Sequence, residues 1–232
     1  MPAVAAPEPI STTTQSPSIE ARSGEHVLAL ERAKIDAGVS GPVLTFFTSA
    51  LAWLLVSTVF GFISGIKVHN PEFLDSVSFL TYGRIVPAYN LSFVFGWASL
   101  AGIGVAIWMM ARLCRIQVRY PGFLTLGALF WNFGLMLAVM GVLIGNNTGI
   151  VHLELPPKAA WVMFVGYAFV GLWGISAYLR RREMPVFISV WYLVAAFVWF
   201  AGLLLFTYAI VPRAHGVMQN VVAAWFGHTL LF

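Results

Sequence analysis

The sequence predicts an all-α integral membrane protein: a transmembrane helix bundle with five complete spans and a truncated sixth. Hydrophobic residues make up 59% of its 232 residues and charged residues only 9%, against about 45–50% and about 25% in soluble domains. The apolar residues also fall into runs of about twenty, which is the length that crosses a hydrocarbon core of roughly 30 Å. This excludes a soluble enzyme, a disordered regulator and a nucleic-acid-binding domain. We therefore assign the net charge of +4 to loops that flank the membrane.

Residues 1–40 are predicted to form a cytoplasmic tail that precedes the bundle. Met1 to Gly24 is rich in Pro, Ser, Thr, Ala and Glu, which predicts disorder. The segment has no basic start followed by an apolar run, so it does not resemble a signal peptide. Glu25 to Asp36 mixes charged and aliphatic residues, and we expect a short helix on the membrane surface there.

Residues 41–232 are predicted to form the transmembrane bundle. The apolar runs cover residues 43–66, 86–111, 123–144, 159–179, 186–211 and 217–232. The last run lacks a polar flank, so we expect the chain to stop inside a helix. Because no Asp, Glu, Lys or Arg lies deep in a run, a proton-coupled transporter is disfavoured.

The basic residues predict the orientation of the bundle. Nine of them lie in the tail and after the second and fourth runs (Arg22, Arg32, Lys34, Arg112, Arg115, Arg119, Arg180, Arg181 and Arg182). Four lie on the other side (Lys67, Arg84, Lys158 and Arg213). The excess puts the N-terminus in the cytoplasm, in a multi-pass protein of a membrane that we take to be the bacterial inner membrane.

Small residues and the one cysteine carry less information about function. Gly61 and Gly65, and Gly141 and Gly145, have the GxxxG spacing, which we interpret as helix packing. Cys114 is the only cysteine, so an intrachain disulfide and a multi-cysteine metal site are excluded.

His228 is the strongest candidate for a metal ligand or cofactor ligand. It lies eleven residues beyond Val217, hence roughly 17 Å into the sixth helix and close to the membrane midplane. An imidazole at that depth must face protein, water or a metal. The other histidines are His26, His69, His152 and His215, and we interpret them as polar residues of the tail and the interface. Copper generally needs about three ligands, so further ligands would have to come from outside this chain.

Two charged residues in the predicted outer loops are further candidates. Arg84 lies just before the second run, where it could hold an anionic group or face lipid headgroups. Glu154 is the only acidic residue of the loop between the third and fourth runs.

Several motifs, taken in order, resemble a known family. They are Thr-Tyr-Gly-Arg-x-x-Pro at 81–87, Phe-Trp-Asn at 130–132, Gly-x-x-x-Gly followed by Glu-x-Pro at 145–156, Val-Trp-Tyr-Leu at 190–193, and Gly-Val-Met-Gln with Trp-Phe-Gly-His at 216–228. From about Ile35 to the last residue, the chain resembles the N-terminal half of subunit I of cbb₃-type cytochrome c oxidases. These form the C family of haem-copper oxygen reductases, and the chain would be a divergent member.

The resemblance implies a set of cofactors, partners and site residues. The family has about twelve helices, and its helix-six motif implies that His228 is a copper ligand. Arg84 would hold a haem propionate, and Glu154 is similar to an acidic loop near the propionates and a bound calcium. High-spin haem b and copper are the implied cofactors. The implied partners are c-type cytochrome subunits, the other half of subunit I or a completing chain, and the lipid bilayer, with no nucleic acid.

Two departures from the family pattern stand out. Tyr89 occupies the place of a helix-two histidine that binds the low-spin haem in the family, and no other histidine lies in that run. A phenol is a poor ligand for an electron-transferring haem, so this haem is in question. The family's helices seven to twelve, which carry the other ligands, have no counterpart in the sequence, so this chain alone is expected to be inactive.

The implied function is part of a respiratory terminal oxidase. Such an enzyme oxidises cytochrome c, reduces oxygen to water and translocates protons. Two alternatives stay open at this point. One is a nitric oxide reductase-like subunit with a non-haem iron in the place of copper. The other is a non-catalytic membrane subunit that kept the fold and lost the low-spin haem, as Tyr89 suggests.

Overall fold

The computed structural model describes residues 19–150, 153–182 and 186–231, and all regular structure in this part of the chain is helical. The six principal helices are α1 (Ile19–His69), α2 (Tyr82–Leu113), α3 (Pro121–Ile144), α4 (Pro157–Leu179), α5 (Ile188–Ile210) and α6 (Val217–Leu231). Helices α1 to α5 are long and apolar enough to span a membrane, which confirms the five predicted spans. Helix α6 has 15 residues and coincides with the sixth run. His152 and residues 1–18 of the predicted tail lie outside the described residues.

The N-terminal region differs from the prediction. Helix α1 contains 51 residues, begins at Ile19 and continues through Pro42 without a break. The disorder predicted for residues 19–24 and the separate surface helix predicted for residues 25–36 are therefore both wrong, because both stretches belong to α1. At 1.5 Å per residue it is roughly 76 Å long, more than twice the thickness of a hydrocarbon core. It continues through Pro42 because neighbouring groups in membrane proteins can satisfy the backbone groups that a proline frees.

Ion pairs hold this N-terminal extension against the loops. Asp36 lies 3.1 Å from Nε of Arg112, and Glu31 lies 3.6 Å from Nη1 of Arg182. The extension therefore contacts the last turn of α2 and the segment that follows α4. Alternating topology puts these segments at one end of the bundle, which we call the basic end.

Helix boundaries follow local sequence signals. Helices α3 and α4 begin at Pro121 and Pro157, where the missing N–H of proline removes no helical hydrogen bond. Helix α3 stops at Gly145, whose φ of 107° is left-handed and suits glycine because it has no Cβ. These signals are local, which explains why the predicted runs agree with the helices to within a few residues everywhere except at the start of α1.

Helix α2 has a π-helical segment, Ser92–Ala98, between α-helical parts at Tyr82–Leu91 and Ser99–Leu113. Gly96 in this segment lies against α1, since a Cβ built on it would approach Cβ of Trp53 to 2.5 Å. The hydroxyl of Ser99 donates to the carbonyl of Val94 at 2.8 Å. The π-helical turn is thus packed against a neighbouring helix at the middle of the span.

Two adjacent residues of α3, Trp131 and Asn132, form hydrogen bonds to this π-helical segment and to α1. The indole N–H of Trp131 donates to the carbonyl of Phe95 at 2.9 Å. Oδ1 of Asn132 accepts from the indole of Trp53 at 2.8 Å, and its Nδ2 donates to Ser49 at 3.2 Å. Because hydrocarbon supplies no partners, such bonds satisfy groups that would otherwise be costly to bury.

Glycines bring α3 and α4 into close contact. A Cβ on Gly166 would lie 2.6 Å from the backbone nitrogen of Trp131 and 2.8 Å from the carbonyl of Gly127. A Cβ on Gly134 would lie 2.6 Å from Cγ of Met163. Small residues therefore allow the two backbones to approach, as is common between membrane helices.

The GxxxG pairs predicted from the sequence contribute less to helix packing than expected. Gly61 contacts the ring of Tyr89, but Gly65 faces open space. Gly141 makes only ordinary contact with Pro156, and Gly145 is a helix cap. Among the described residues, Gly65 thus has no close neighbour, and Gly145 lies against the guanidinium of Arg84 as a helix cap, because spacing alone does not show which face of a helix has a neighbour.

Cys114 lies just beyond the end of α2 at the basic end. It is buried, and burial raises the pKa of its thiol while Arg181 nearby opposes this shift. Its carbonyl accepts a hydrogen bond from the backbone of Arg182 at 3.1 Å. The residue thus joins the loops that follow α2 and α4.

We predict that Gly166→Ala lowers the free energy of unfolding by about 1–3 kcal/mol, because the added methyl overlaps the backbone of α3. Unfolding in mixed micelles, followed by circular dichroism, would measure the change. Gly102→Ala is the matched control, since nothing lies within 4 Å of its Cβ position. Equal effects of the two substitutions would contradict the close packing of α3 and α4.

Candidate functional site

A cavity of about 290 Å³ lies between α2, the loop that joins α3 to α4, and α6. Residues that line it include Tyr89, Asn90, Phe93, Glu154 and Gly227. It lies in the half of the bundle opposite the basic end. Two of the positions singled out in the sequence, 89 and 154, therefore meet at one cavity, and the residue before His228 joins them.

Glu154 is tied to α2 by a hydrogen bond. Nδ2 of Asn90 donates to Oε1 of Glu154 at 3.0 Å, and both side chains are half-buried. The loop is anchored on either side of the acid, because Leu153 and Leu155 are buried. The hydroxyl of Tyr208 on α5 donates to the carbonyl of Leu155 at 3.1 Å. The carboxylate is therefore bonded to α2, and the backbone that carries it is bonded to α5.

Tyr89 packs between α1 and α2. A Cβ on Gly61 would lie 3.1 Å from Cε2 of Tyr89, so the ring rests directly on that glycine. Its ring centroid lies 5.9 Å from that of Phe93, which in turn lies 4.9 Å from that of Trp97. The phenol thus begins a row of aromatic side chains along α2, and packing accounts for its position.

Arg84 is held by backbone carbonyls. Its Nη1 donates to Ser78 at 3.0 Å and to Leu143 at 3.1 Å. Leu143 lies in the last turn of α3, where the carbonyl end of the helix dipole favours a cation. Arg84 does not line the cavity around Tyr89. In this chain it joins the start of α2 to the end of α3, and both sequence-based interpretations of it stay predictions.

His228 lies on the exposed face of α6. The buried face consists of Val222, Ala223, Phe226 and Gly227, and the ring of Phe226 lies 6.1 Å from that of Tyr208 on α5. His228 itself is exposed, so its imidazole is accessible from outside the described bundle.

The residues of this chain fit copper only in part and do not fit a low-spin haem. Among the described residues, no group of three or more His, Cys, Asp or Glu side chains could hold a metal ion. His228 is a suitable nitrogen ligand for copper, but only as one member of a set completed elsewhere. On α2 the expected axial position holds Tyr89, whose ring is packed against Gly61.

Three features of the site were not predicted from the sequence. Asn90 as the partner of Glu154, Gly61 as the surface under Tyr89, and the π-helical segment of α2 all emerge only in the structure. Asn90 follows Tyr89 directly, and a polar residue in an apolar run is a signal that could have identified it. No local pattern distinguishes the other two features.

Comparison with known proteins identifies a family over most of the chain. The family described as Cytochrome C and Quinol oxidase polypeptide I matches residues 41–232. A cytochrome c oxidase subunit 1 homolog of Azorhizobium caulinodans is 24% identical over 204 residues. A bacteroid homolog of Bradyrhizobium diazoefficiens is 21% identical over 203 residues, and the cytochrome c oxidase subunit 1 of Rhodobacter capsulatus is 24% identical over 208 residues.

These matches cover 81–82% of this chain but only 36–37% of each relative. The chain thus spans about a third of the length of the curated relatives. No solved structure shows a significant match.

We predict that Asn90 and Glu154 are energetically coupled by about 1 kcal/mol in a double-mutant cycle. Asn90→Leu should leave the carboxylate without its amide donor and lower the midpoint of thermal unfolding. Glu154→Gln should then lower the free energy of unfolding less in the Asn90→Leu background than it does in the wild-type chain. Strict additivity of the two substitutions would contradict the hydrogen bond.

Proposed function

Because the chain belongs to the cytochrome c and quinol oxidase polypeptide I family, we propose that it forms the first six helices of a divergent, cbb₃-type haem-copper oxidase subunit I. The complete protein would oxidise a c-type cytochrome, reduce oxygen to water and translocate protons. The observation that supports this proposal is His228, which is exposed on the sixth helix. This chain by itself is not expected to catalyse the reduction of oxygen.

His228 would contribute one nitrogen ligand to a copper ion of the oxygen-reducing centre. The copper, when bound, would supply redox chemistry at oxygen. The chain's own part is to position the imidazole, which the contact between Phe226 of α6 and Tyr208 of α5 does by fixing the rotation of α6. The remaining ligands would come from a second half of the subunit or from a completing chain.

Arg84 and Glu154 would serve the outer side of the same centre. Both described hydrogen bonds of Arg84 use Nη1, and its Nη2 lies next to Gly145, 3.2 Å from the position of a Cβ there. A carboxylate such as a haem propionate would bind the guanidinium on this Nε and Nη2 side. Glu154, held by Asn90, would supply one carboxylate ligand to a cation such as calcium, whose preferred ligands are oxygens.

The low-spin haem of the family is not part of this proposal. Its helix-two position holds Tyr89, and the ring of Tyr89 is packed against Gly61 and Phe93. This observation also favours a second candidate, a non-catalytic membrane subunit that keeps the fold without redox centres. Measurements of metal and haem separate the two candidates.

For the complete protein isolated from its membrane, we predict that His228→Ala lowers bound copper by at least tenfold, because one of its few ligands is lost. Elemental analysis would measure copper per protein, and oxygen uptake would be recorded in parallel. His215→Ala is the control, since His215 is exposed just before α6. Retention of copper and oxygen uptake in His228→Ala would exclude the proposed role. A wild-type protein without haem or copper would instead support the non-catalytic candidate, and iron in excess of haem would indicate a nitric oxide reductase.

We also predict that the dithionite-reduced spectrum of the complete protein lacks the sharp α-band of a six-coordinate, low-spin b-type haem. A phenol at position 89 cannot replace the imidazole for which the family's low-spin haem is built. Carbon monoxide difference spectra would report any high-spin haem separately. A normal low-spin band would show that another residue supplies the ligand.

A further inference from the structure

Two adjoining cavities lie at the basic end and share Arg119 and Arg180. The first, of about 470 Å³, is lined by Ile116, Gln117, Val118, Arg119, Arg180 and Arg182. The second, of about 350 Å³, continues along α3 and α4 and is lined by Arg119, Tyr120, Phe123, Leu172, Trp173, Ser176 and Arg180. Together the two cavities form one groove, which is polar and cationic at one end and largely apolar at the other.

The cationic part is built from side chains that stay charged. Guanidinium groups do not lose their proton in proteins, and none of the described residues that line either cavity is acidic. Arg180 is folded over the last turn of α4, because its Nη2 donates to the hydroxyl of Ser176 at 2.7 Å and its Nε to the carbonyl at 3.3 Å. This places a cation at the mouth of the apolar part, where it favours an anion.

The apolar part continues into the membrane-facing surface. Leu172 is 61% exposed and Phe123 is 38% exposed, so both face the hydrocarbon. Phe123 meets Phe169 edge to face at 4.7 Å, and Phe169 stacks on Phe130 at 5.9 Å. These contacts extend an apolar strip from the mouth of the groove along α3. A hydrocarbon chain would lie along this strip without desolvating any polar group.

Trp173 supplies an independent observation at the same place. It lines the apolar cavity and is only 6% exposed, yet its indole N–H has no hydrogen-bond partner among the described residues. Buried tryptophans usually have an acceptor for this group. An oxygen atom of a bound molecule would be such an acceptor.

We propose that this groove binds an anionic diacyl phospholipid. Its phosphate would lie between Arg119 and Arg180, and one acyl chain would follow Phe123 and Leu172. Basic pockets between transmembrane helices bind anionic lipid headgroups in this way. The apolar half of the groove distinguishes a lipid from a free phosphate ion. This inference is independent of the proposed function, because none of these residues belongs to the site around Tyr89 and His228.

The test is lipid binding to the full chain, purified in detergent and stripped of lipid. Phosphatidylglycerol and phosphatidylcholine with identical acyl chains would be titrated and counted by native mass spectrometry. Because each cation near a headgroup contributes about fivefold in affinity, the preference for phosphatidylglycerol should be about thirtyfold with both arginines. The Arg119→Gln, Arg180→Gln double variant should lose this preference. Arg119→Lys with Arg180→Lys should keep most of it, because the charge remains.

The matched control removes two cations from the opposite end, Lys158→Gln with Arg213→Gln, and should leave the preference unchanged. Phe123→Ala should weaken phosphatidylglycerol binding through loss of chain contact. Equal binding of the two lipids by the wild-type chain, or an equal loss in the control variant, would overturn the proposal. Displacement of phosphatidylglycerol by millimolar inorganic phosphate would also overturn it, since it would indicate a site for a free anion.

Discussion

The arrangement of this bundle depends on the hydrogen bonds that Trp131 and Asn132 make in the membrane interior. Trp131 donates to the carbonyl of Phe95 in the π-helical segment of α2, and Asn132 joins Trp53 and Ser49 of α1. A π-helical turn accommodates one extra residue, so it changes which side chains of α2 share a face above and below it. The face of α2 that lines the cavity around Tyr89 and Asn90 therefore depends on Trp131 and Asn132 at the centre of α3.

The outer half of the bundle follows from this arrangement. Asn90 of α2 reaches Glu154, and Tyr89 rests on Gly61 of α1. In the assignment proposed above, this packed phenol would stand where the family has an imidazole, so the fold would be kept while the chemistry of one site changed. A fold can keep its shape while one of its sites changes, since packing depends on volume and contact whereas ligation depends on a particular donor atom.

The basic end has a different physical basis. Its contacts are ion pairs between the extension of α1 and arginines in the last turn of α2 and after α4. Pairs of this kind are exposed and contribute little stability individually. Their effect is to keep the arginine-rich loops close together, next to the groove between α3 and α4. The same concentration of charge that predicts orientation from the sequence therefore also creates a surface suited to anionic lipid headgroups.

The sequence by itself determined the membrane class, the five spans, most of their boundaries and the family resemblance. These properties depend on local signals, such as runs of about twenty apolar residues, proline at the start of α3 and α4, and glycine after α3. Only the tertiary structure decided the π-helical segment, the continuity of α1 through Pro42, and the pairing of Asn90 with Glu154, which lie 64 residues apart. Such contacts depend on which helix faces meet, and hydropathy along the chain carries no information about the partner that a face will find.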